Sequence, residues 1–360
     1  MMPDTPHPTE KAVSTRDIAQ RAGVSNATVS LALRFHPRIS AQTRARVQRA
    51  AEELGYRPDP QIAKLMYRLR LQRKPGFQST IAALTTIPED RENRYSRDIR
   101  TAAEARANAL GYAFMVMRLP DADIQRAAIQ RILVSRGVEG VLLLPMLHPR
   151  SIADWLDWSQ FSVVTATYGV LAPEFHRVVP HQFGNTLTMC EALSRIGYRR
   201  LGLVLPAQHD LTVHHGFSAA VAWQGMLGGT ELVHPLIYAS ALTAAALRTW
   251  FKRERPDVII APGEADCREI AAHLNLTIPG HVGFAVGNRL DGSTLAGIDE
   301  RPSAIGTAAV DLLHTTMLAG GQGIPTVPTI AMVPGCWVAA PSVLCEARHC
   351  VGEAPAVVND

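Results

Sequence analysis

The spacing of apolar residues divides the chain near Thr80. Before this point, apolar residues recur every three or four positions, which is typical of short amphipathic helices. After it, short apolar runs alternate with amphipathic helical stretches, as in proteins whose buried strands alternate with covering helices. The pattern predicts a small helical N-terminal module followed by a larger α/β body.

The first two predicted helices form a hairpin around a glycine. Ser14 or Thr15 can cap the first helix, and Gly23 permits the turn after it by taking a positive φ. Ser25 offers an N-cap to the second helix. The residues that indicate the two helices are Ile18, Ala19 and Ala22 in the first and Thr28, Val29 and Ala32 in the second. Two helices joined by a few residues around a glycine form the helix-turn-helix layout, whose second helix enters the DNA major groove.

A third helix follows the hairpin. Ser40 can cap it and Gly55 can end it. Its apolar stripe consists of Val47, Ala50, Ala51 and Leu54. The turn alone also fits a small three-helix domain with no role in DNA binding, so the order of the residues has to decide between the two interpretations.

That order closely resembles the DNA-binding headpiece of the lac-repressor (LacI) family. The matching stretches are Thr15-Arg16-Asp17-Ile18-Ala19, Ala22-Gly23-Val24-Ser25, Thr28-Val29-Ser30 and Ala51-Glu52-Glu53-Leu54-Gly55-Tyr56-Arg57-Pro58. The resemblance implies a homodimeric, sequence-specific transcription regulator, expected to be a repressor, that binds a pseudo-palindromic operator in double-stranded DNA. It also implies control by a small-molecule effector.

Base readout is expected on the exposed N-terminal face of the second helix. Asn26 can donate to and accept from an adenine edge, whereas Ala27 and Leu31 offer apolar contacts suited to thymine methyls. For Leu31 the alternative is a place in the core of the module. The residues expected to bind DNA phosphates are Ser25, Thr28, Ser40, Thr43 and Arg44. Thr15 is also expected to contact DNA.

A short helix is predicted over 61–70. Its apolar stripe consists of Ile62, Leu65, Met66 and Leu69. Lys64 and Arg68 lie one turn apart and repel each other, so this helix should form well only against phosphates and a partner. The resemblance makes it the hinge helix, with Lys64 and Leu65 contacting DNA and Leu65 wedged between bases in the minor groove. Packing of Leu65 in a protein core is the alternative.

The body is predicted to contain two doubly wound α/β halves with parallel sheets. Its glycine-centred motifs resemble the regulatory domain of the same family, which has the periplasmic sugar-binding-protein fold. They are Gly111-Tyr112, Gly137-Val138-Glu139-Gly140-Val141, Gly197-Tyr198-Arg199-Arg200-Leu201-Gly202 and Ile278-Pro279. Such a fold places a ligand cleft between two lobes, at the carboxyl ends of the strands.

These patterns predict the following domain boundaries. Residues 1–13 form a disordered tail, 14–58 the helix-turn-helix domain, 59–78 the hinge helix and linker, and 346–360 a second tail. Residues 79–345 form the effector-binding and dimerisation domain. One lobe comprises about 79–178 plus 303–332, and the other 179–302 plus 333–345.

Charge separates the same two parts of the chain. Residues 1–76 hold 14 Lys and Arg against 6 Asp and Glu, whereas the remainder holds 22 against 26. A basic module on a mildly acidic body favours nucleic acid over a membrane surface as the partner, because the positive charge is confined to the part shaped to dock.

Composition excludes several other functions. The five cysteines lack metal-ligand spacing, which predicts reduced thiols in a cytoplasmic protein. Residues 1–13 contain no apolar run of the kind found in signal peptides or membrane spans. The sequence contains no metal motif, phosphate loop or acid/base set that would indicate an enzyme or a cofactor.

The effector site is predicted by matching the family pattern. The residues that match are Tyr95, His181, Tyr238, Glu264, Asn288 and Glu300. Val213 stands where the family often has an arginine that grips carboxylates or hydroxyls, which disfavours an anionic ligand there. Aromatic, carboxylate and amide groups suit a neutral sugar. For each of these six residues, a surface role without ligand contact is the alternative.

Other protein classes fit the sequence less well. A solute-binding protein would not need the headpiece, and a sugar-processing enzyme would need acid/base residues. A DNA-binding regulator that has no small-molecule effector, or is controlled by a protein partner, stays open as the alternative.

Overall fold

A computed structural model describes residues 13–33, 39–56, 79–120, 126–226, 230–231, 233–278, 280 and 282–343. The predictions for the N-terminal tail up to residue 12, the hinge helix at 61–70 with Lys64 and Leu65, and the residues after 343 lie outside these ranges.

Three helices form the N-terminal headpiece (residues 13–56). They are α1 (Thr15–Ala22), α2 (Asn26–Leu33) and α3 (Ala41–Glu53). Ser14 caps α1 through its backbone N–H and its hydroxyl, which donate to Asp17 Oδ2 at 2.8 and 2.7 Å. Gly23 ends α1 with φ 62° in the left-handed region, which confirms the predicted glycine turn. A single apolar core joins the three helices around Ile18, Val29 and Val47.

The first lobe is built on a six-stranded sheet in which every pair of neighbouring strands is parallel. Its strands are β1 (Ser79–Thr85), β2 (Tyr112–Arg118), β3 (Val138–Leu143), β5 (Ser162–Ala166), β7 (His176–Pro180) and β13 (Ile330–Val333), in the order β13-β7-β5-β3-β1-β2. A separate two-stranded sheet pairs β4 (Arg150–Ser151) with β6 (Val170–Ala172). Helices α4 (Arg94–Ala109) and α11 (Pro302–Ala319) cover one face, and α5 (Arg126–Ser135) covers the other.

The second lobe repeats this plan. Its strands are β8 (Leu201–Pro206), β9 (Leu236–Tyr238), β10 (Val258–Ala261), β11 (Gly283–Val286), β12 (Ala296–Asp299) and β14 (Cys336–Val338), in the order β14-β12-β11-β10-β8-β9. Its helices are α6 (Gln182–Ile196), α7 (Ala207–Thr212), α8 (Gly216–Met226), α9 (Ala244–Glu254) and α10 (Glu264–Leu274). Helices α6 and α8 pack on one face of the sheet, and α9 and α10 pack on the other.

The chain crosses between the lobes three times. It passes from β7 into α6, from β12 into α11, and from β13 into β14. At the third crossing, the Gly335 N–H donates to Asn185 Oδ1 at 2.8 Å, and the His181 N–H donates to the Val333 carbonyl at 2.9 Å. The crossings lie side by side, so the lobes are joined along one edge with a cleft beside it.

The two-lobed parallel architecture confirms the predicted fold class. One detail differs, because β14 runs antiparallel to β12 at the edge of the second sheet. The chain leaves the second lobe at the end of β12 and enters it again at the start of β14, so the two strands run in opposite directions. In the described part of the chain, no helix is long and apolar enough to cross a membrane.

Candidate DNA interface and ligand cleft

Serine hydroxyl groups cap the N-termini of α2 and α3, where phosphate contacts are expected. Ser25 Oγ accepts a hydrogen bond from the Thr28 N–H at 3.1 Å and lies 2.8 Å from Thr28 Oγ1. Ser40 Oγ accepts from the Thr43 N–H at 3.2 Å and donates to Thr43 Oγ1 at 2.9 Å. Each serine therefore fixes the first turn of its helix, and helix N-termini favour anions such as phosphate.

The positions expected to read bases differ in exposure. Asn26 is exposed at the start of α2, whereas Leu31 is half-buried and is not among the described residues that form the headpiece core. This placement favours the DNA-facing interpretation of Leu31 over the core alternative. The side chain of Ala27 lies outside the described part of the structure.

Two further predicted contacts lie at helix starts. Thr15 is the first residue of α1 and is half-buried. Arg44 lies in the first turn of α3, and its Nη2 donates to the Ile39 carbonyl at 3.2 Å. This bond ties the guanidinium to the loop before α3, so Arg44 is held near the N-terminus where a phosphate would bind.

Replacing Asn26 with alanine should remove one position of base preference. Because a bidentate amide–adenine pair contributes about 1–3 kcal/mol of discrimination, the variant should lose that much preference for adenine in each half-site. Competition binding with duplexes that carry single base changes measures this. Asn108→Ala, at an exposed position of α4 in the first lobe, is the matched control. Equal weakening on every duplex would instead assign Asn26 to the phosphate backbone.

A cavity of about 380 Å³ lies between the two lobes. Most of its walls come from segments that follow the carboxyl ends of strands in both sheets, including Pro145, Thr167, Gln208, Pro262 and Asn288. The full lining is Tyr95, Pro145, Met146, Pro149, Thr167, Tyr168, Gly169, Pro180, Gln182, Gln208, His209, Thr212, Val213, Phe217, Pro262, Asn288 and Glu300. Doubly wound folds bind ligands in this location, and the volume suits a small molecule.

Among the described residues of this lining, Glu300 is the one carboxyl group, and it is only 4% exposed. Burial raises the pKa of Glu300 to about 7, although a hydrogen bond from the Tyr95 hydroxyl opposes this shift. Burial, together with Glu300, raises the pKa of Tyr95 well above its usual value. Burial likewise raises the pKa of Tyr168 to about 12, and the Tyr168 hydroxyl donates to the Pro180 carbonyl at 3.1 Å. The Glu300 carboxyl group thus lies beside two tyrosine side chains that stay protonated.

The second lobe contributes a histidine to the same cavity. Burial lowers the pKa of His209, although the nearby carboxylates of Asp266 and Asp210 oppose this shift. Its ring centroid lies 5.6 Å from that of Phe217. His209 is therefore a neutral ring at physiological pH, positioned against an aromatic side chain.

The structure brings three of the six predicted effector residues together. Tyr95, Asn288 and Glu300 line the cavity, and so does Val213, at the position where the family often has an arginine. The resemblance thus predicted part of the cavity lining, and the structure adds the other lining residues.

The other three predicted effector residues lie outside the cavity lining. His181 precedes α6 as its N-cap residue, Tyr238 ends β9, and Glu264 begins α10. The Glu264 carboxylate pairs with Arg268 at 3.1 Å. Their contact with a ligand stays a prediction that this arrangement of the lobes does not support.

Sequence reasoning missed Gln182, which lies directly after His181. Its side chain is 4% exposed and lines the cavity, and its Nε2 has no hydrogen-bond partner in the described structure. A buried amide donor without a partner is costly, which indicates a role for a ligand. Its position in the first turn of a helix after a strand was the available signal.

The class of protein follows from these two parts, a helix-turn-helix headpiece and a two-lobed body with a ligand cleft. Residues 14–59 match the family described as bacterial regulatory proteins, lacI family. The headpiece therefore matches the lacI family, which confirms the resemblance over residues 14–59.

Comparisons with individual proteins agree with this assignment. The chain is 30% identical to the HTH-type transcriptional repressor CytR of Escherichia coli strain K12 over 135 residues, 38% of this chain and 36% of CytR. The structure resembles the lac repressor dimer bound to operator and the anti-inducer ONPF, with a TM-score of 0.54, 17% identity and coverage of 93% and 100% of the two chains. It also resembles a CelR–cellobiose complex, with a TM-score of 0.54, 19% identity and coverage of 92% and 99%. The structural likeness extends the fold assignment to nearly the whole chain.

Proposed function

We propose that the chain is a homodimeric, sequence-specific transcription repressor whose affinity for DNA is set by a small molecule bound between its lobes. The observation that carries the proposal is the joining of the lacI-type headpiece to a body whose cavity opens at the carboxyl ends of both sheets. Relatives whose names describe transcriptional repression support it. In this proposal the chain is a regulator and not an enzyme, and it acts in the cytoplasm, where bacterial DNA lies.

In this proposal, each segment of the chain has a separate role. Residues 14–58 read one half-site, 59–78 couple the headpiece to the body, and 79–345 dimerise and bind the effector. Closure of the lobes on the ligand would change the spacing of the two headpieces in the dimer, and hence the affinity for DNA. Because the two binding events are linked, DNA must change the affinity for the ligand by the same factor.

We propose a carbohydrate-like effector, since the cavity combines aromatic faces with amide, hydroxyl and carboxyl groups. The solved CelR–cellobiose complex shares the fold and supports this choice. Tyr95, Asn288 and Glu300 are the proposed contacts from the predicted set.

Selection of bound sequences from a random duplex pool tests the DNA-binding part of the proposal. A pseudo-palindromic consensus of two half-sites is expected, because a symmetric dimer presents two copies of α2. Equal retention of all sequences would overturn the proposal of a sequence-specific regulator.

Neutralising a phosphate contact should change the salt dependence of binding. Arg44→Gln should reduce the slope of log K against log salt by about 0.9, because one fewer phosphate is neutralised. Fluorescence anisotropy across a salt series measures the slope. Arg195→Gln, on the exposed side of α6 in the second lobe, should leave it unchanged. An unaltered slope in the Arg44 variant would remove Arg44 from the phosphate contacts.

A further inference from the structure

The ligand cleft has an unusual charge balance. Among the described residues, its lining contains no lysine or arginine, and the lowered pKa of His209 keeps that ring neutral at physiological pH. Glu300 is therefore the group in the lining that can carry charge near neutrality. The described lining can therefore offer a ligand a negative charge but no positive charge.

No side chain provides a cation for Glu300 in the described part of the structure. The groups that act on its carboxyl are the Tyr95 hydroxyl on α4, the Tyr168 ring in the loop after β5, and Asp299, whose negative charge disfavours ionisation. None of the ion pairs among the described residues involves Glu300. Burying an ionised carboxylate without a cation is unfavourable in free energy. A ligand that brings a positive charge to Glu300 would remove this penalty.

Gln182 faces the same cavity from α6. The side chain is 4% exposed, and its Nε2 has no partner among the described residues. An amide NH₂ can donate two hydrogen bonds, and a buried one needs an acceptor. The cleft therefore presents a carboxyl group that lacks a cation and an amide that lacks an acceptor.

We propose that the effector is a small hydroxylated molecule carrying a protonated amine, which pairs with Glu300, and an oxygen, which accepts from Gln182. This inference rests on the proposed function and narrows its effector from sugars in general to amino sugars and similar amines. An ammonium group supplies both the charge and the donors that Glu300 lacks, whereas a neutral hydroxyl supplies only a donor.

Calorimetry on the full-length chain with matched ligand pairs tests the proposal. The pairs are glucosamine and glucose, galactosamine and galactose, and mannosamine and mannose. At pH 7.5 at least one amine should bind about tenfold or more tightly than its parent sugar, because a charge-assisted bond is roughly twice as strong as a neutral one. At pH 6 the same amine should release a proton from Glu300 on binding, seen as a binding enthalpy that depends on the buffer.

Variants assign the effect to the proposed groups. Glu300→Gln should remove the preference for the amine and the proton release, and Gln182→Leu should weaken binding of the amine and its parent alike. Glu191→Gln, a carboxylate on the exposed side of α6, is the matched control and should keep both effects. Circular dichroism confirms that each variant is folded.

The outcomes separate this inference from the proposed function. Tighter binding of a neutral parent sugar, equal binding of each pair, or no binding of any amine would overturn the amine proposal. A neutral sugar that binds more tightly than its amine and releases operator DNA would overturn it while leaving the regulator intact. Failure of the chain to select a DNA sequence, both alone and with each of the tested amines and sugars, would overturn the proposed function itself.

Discussion

Replacing Glu300 with glutamine should raise the free energy of unfolding by about 3 kcal/mol at pH 8.5 and by less than about 1 kcal/mol at pH 5. The pKa of Glu300 is about 7 in the folded chain against a usual value of 4.5. Between these values the folded state holds a proton that the unfolded state has lost, so stability falls as the pH rises from 4.5 to 7. Above pH 7 the full penalty is present, and glutamine removes it.

Chemical denaturation at the two pH values measures this difference. Glutamine keeps an oxygen that can accept from Tyr95, so the variant changes the charge with little change in shape. Glu191→Gln is the control, because that carboxylate is exposed and should show no comparable pH dependence. An equal effect of Glu300→Gln at both pH values would show that the carboxyl is ionised in the folded chain throughout this range.

Replacing Gly306 with alanine should destabilise the chain by about 1–3 kcal/mol. Helices α4 and α11 cross at this glycine, where an added Cβ would overlap the Ile99 carbonyl oxygen and lie 3.1 Å from the Ala103 nitrogen. Both are backbone atoms of α4, so the helices must separate. At an unhindered helical position, alanine would instead stabilise by about 1 kcal/mol, so a loss can come only from the overlap.

This substitution should also disturb the cleft. Tyr95 lies in the first turn of α4 and Glu300 lies just before α11, so separating the two helices pulls their side chains apart. Denaturation gives the stability, and the pH dependence of stability reports on Glu300. Thr315→Ala, exposed on the same helix, should change stability by less than about 0.5 kcal/mol. A Gly306→Ala variant that is more stable than the wild type would contradict the close packing.

The headpiece was predictable in detail because its signals are local. Ser14, Gly23 and Ser40 lie within a few residues of the helix ends that they define, and helical spacing decides which residues are buried. The strands of the second lobe gave weaker signals. The runs that form β11 and β12 contain Gly283 and Gly297, and a short run with a glycine resembles a turn as much as a strand.

The glycines in these strands have a structural cause that only the fold shows. A Cβ at Gly283 would lie 2.5 Å from the Tyr198 hydroxyl oxygen, and one at Gly297 would overlap the Val286 carbonyl oxygen. Both positions are thus small because a residue outside their own strand lies against them. No local pattern records that neighbour.

The cleft was predictable in location but only partly in composition. Parallel strands place their carboxyl ends together, which fixed where the site lies. Which side chains turn inward depends on loop geometry, and Glu264 illustrates this, because it pairs with Arg268 one helical turn away. Gln182 was missed because its position in a first helical turn after a strand is a weak signal until its burial is known.

The order in which the chain is synthesised has different consequences for the two functional parts. Among the described residues, the headpiece core draws on residues 18–56, so the proposed DNA-reading module can form soon after it leaves the ribosome. Neither sheet of the body is complete until β13 and β14 have been made, near the other end of the described chain. The proposed ligand sensor therefore matures last, and a chain cut before Ile330 would keep its proposed DNA-reading module while losing a strand from each lobe of the body.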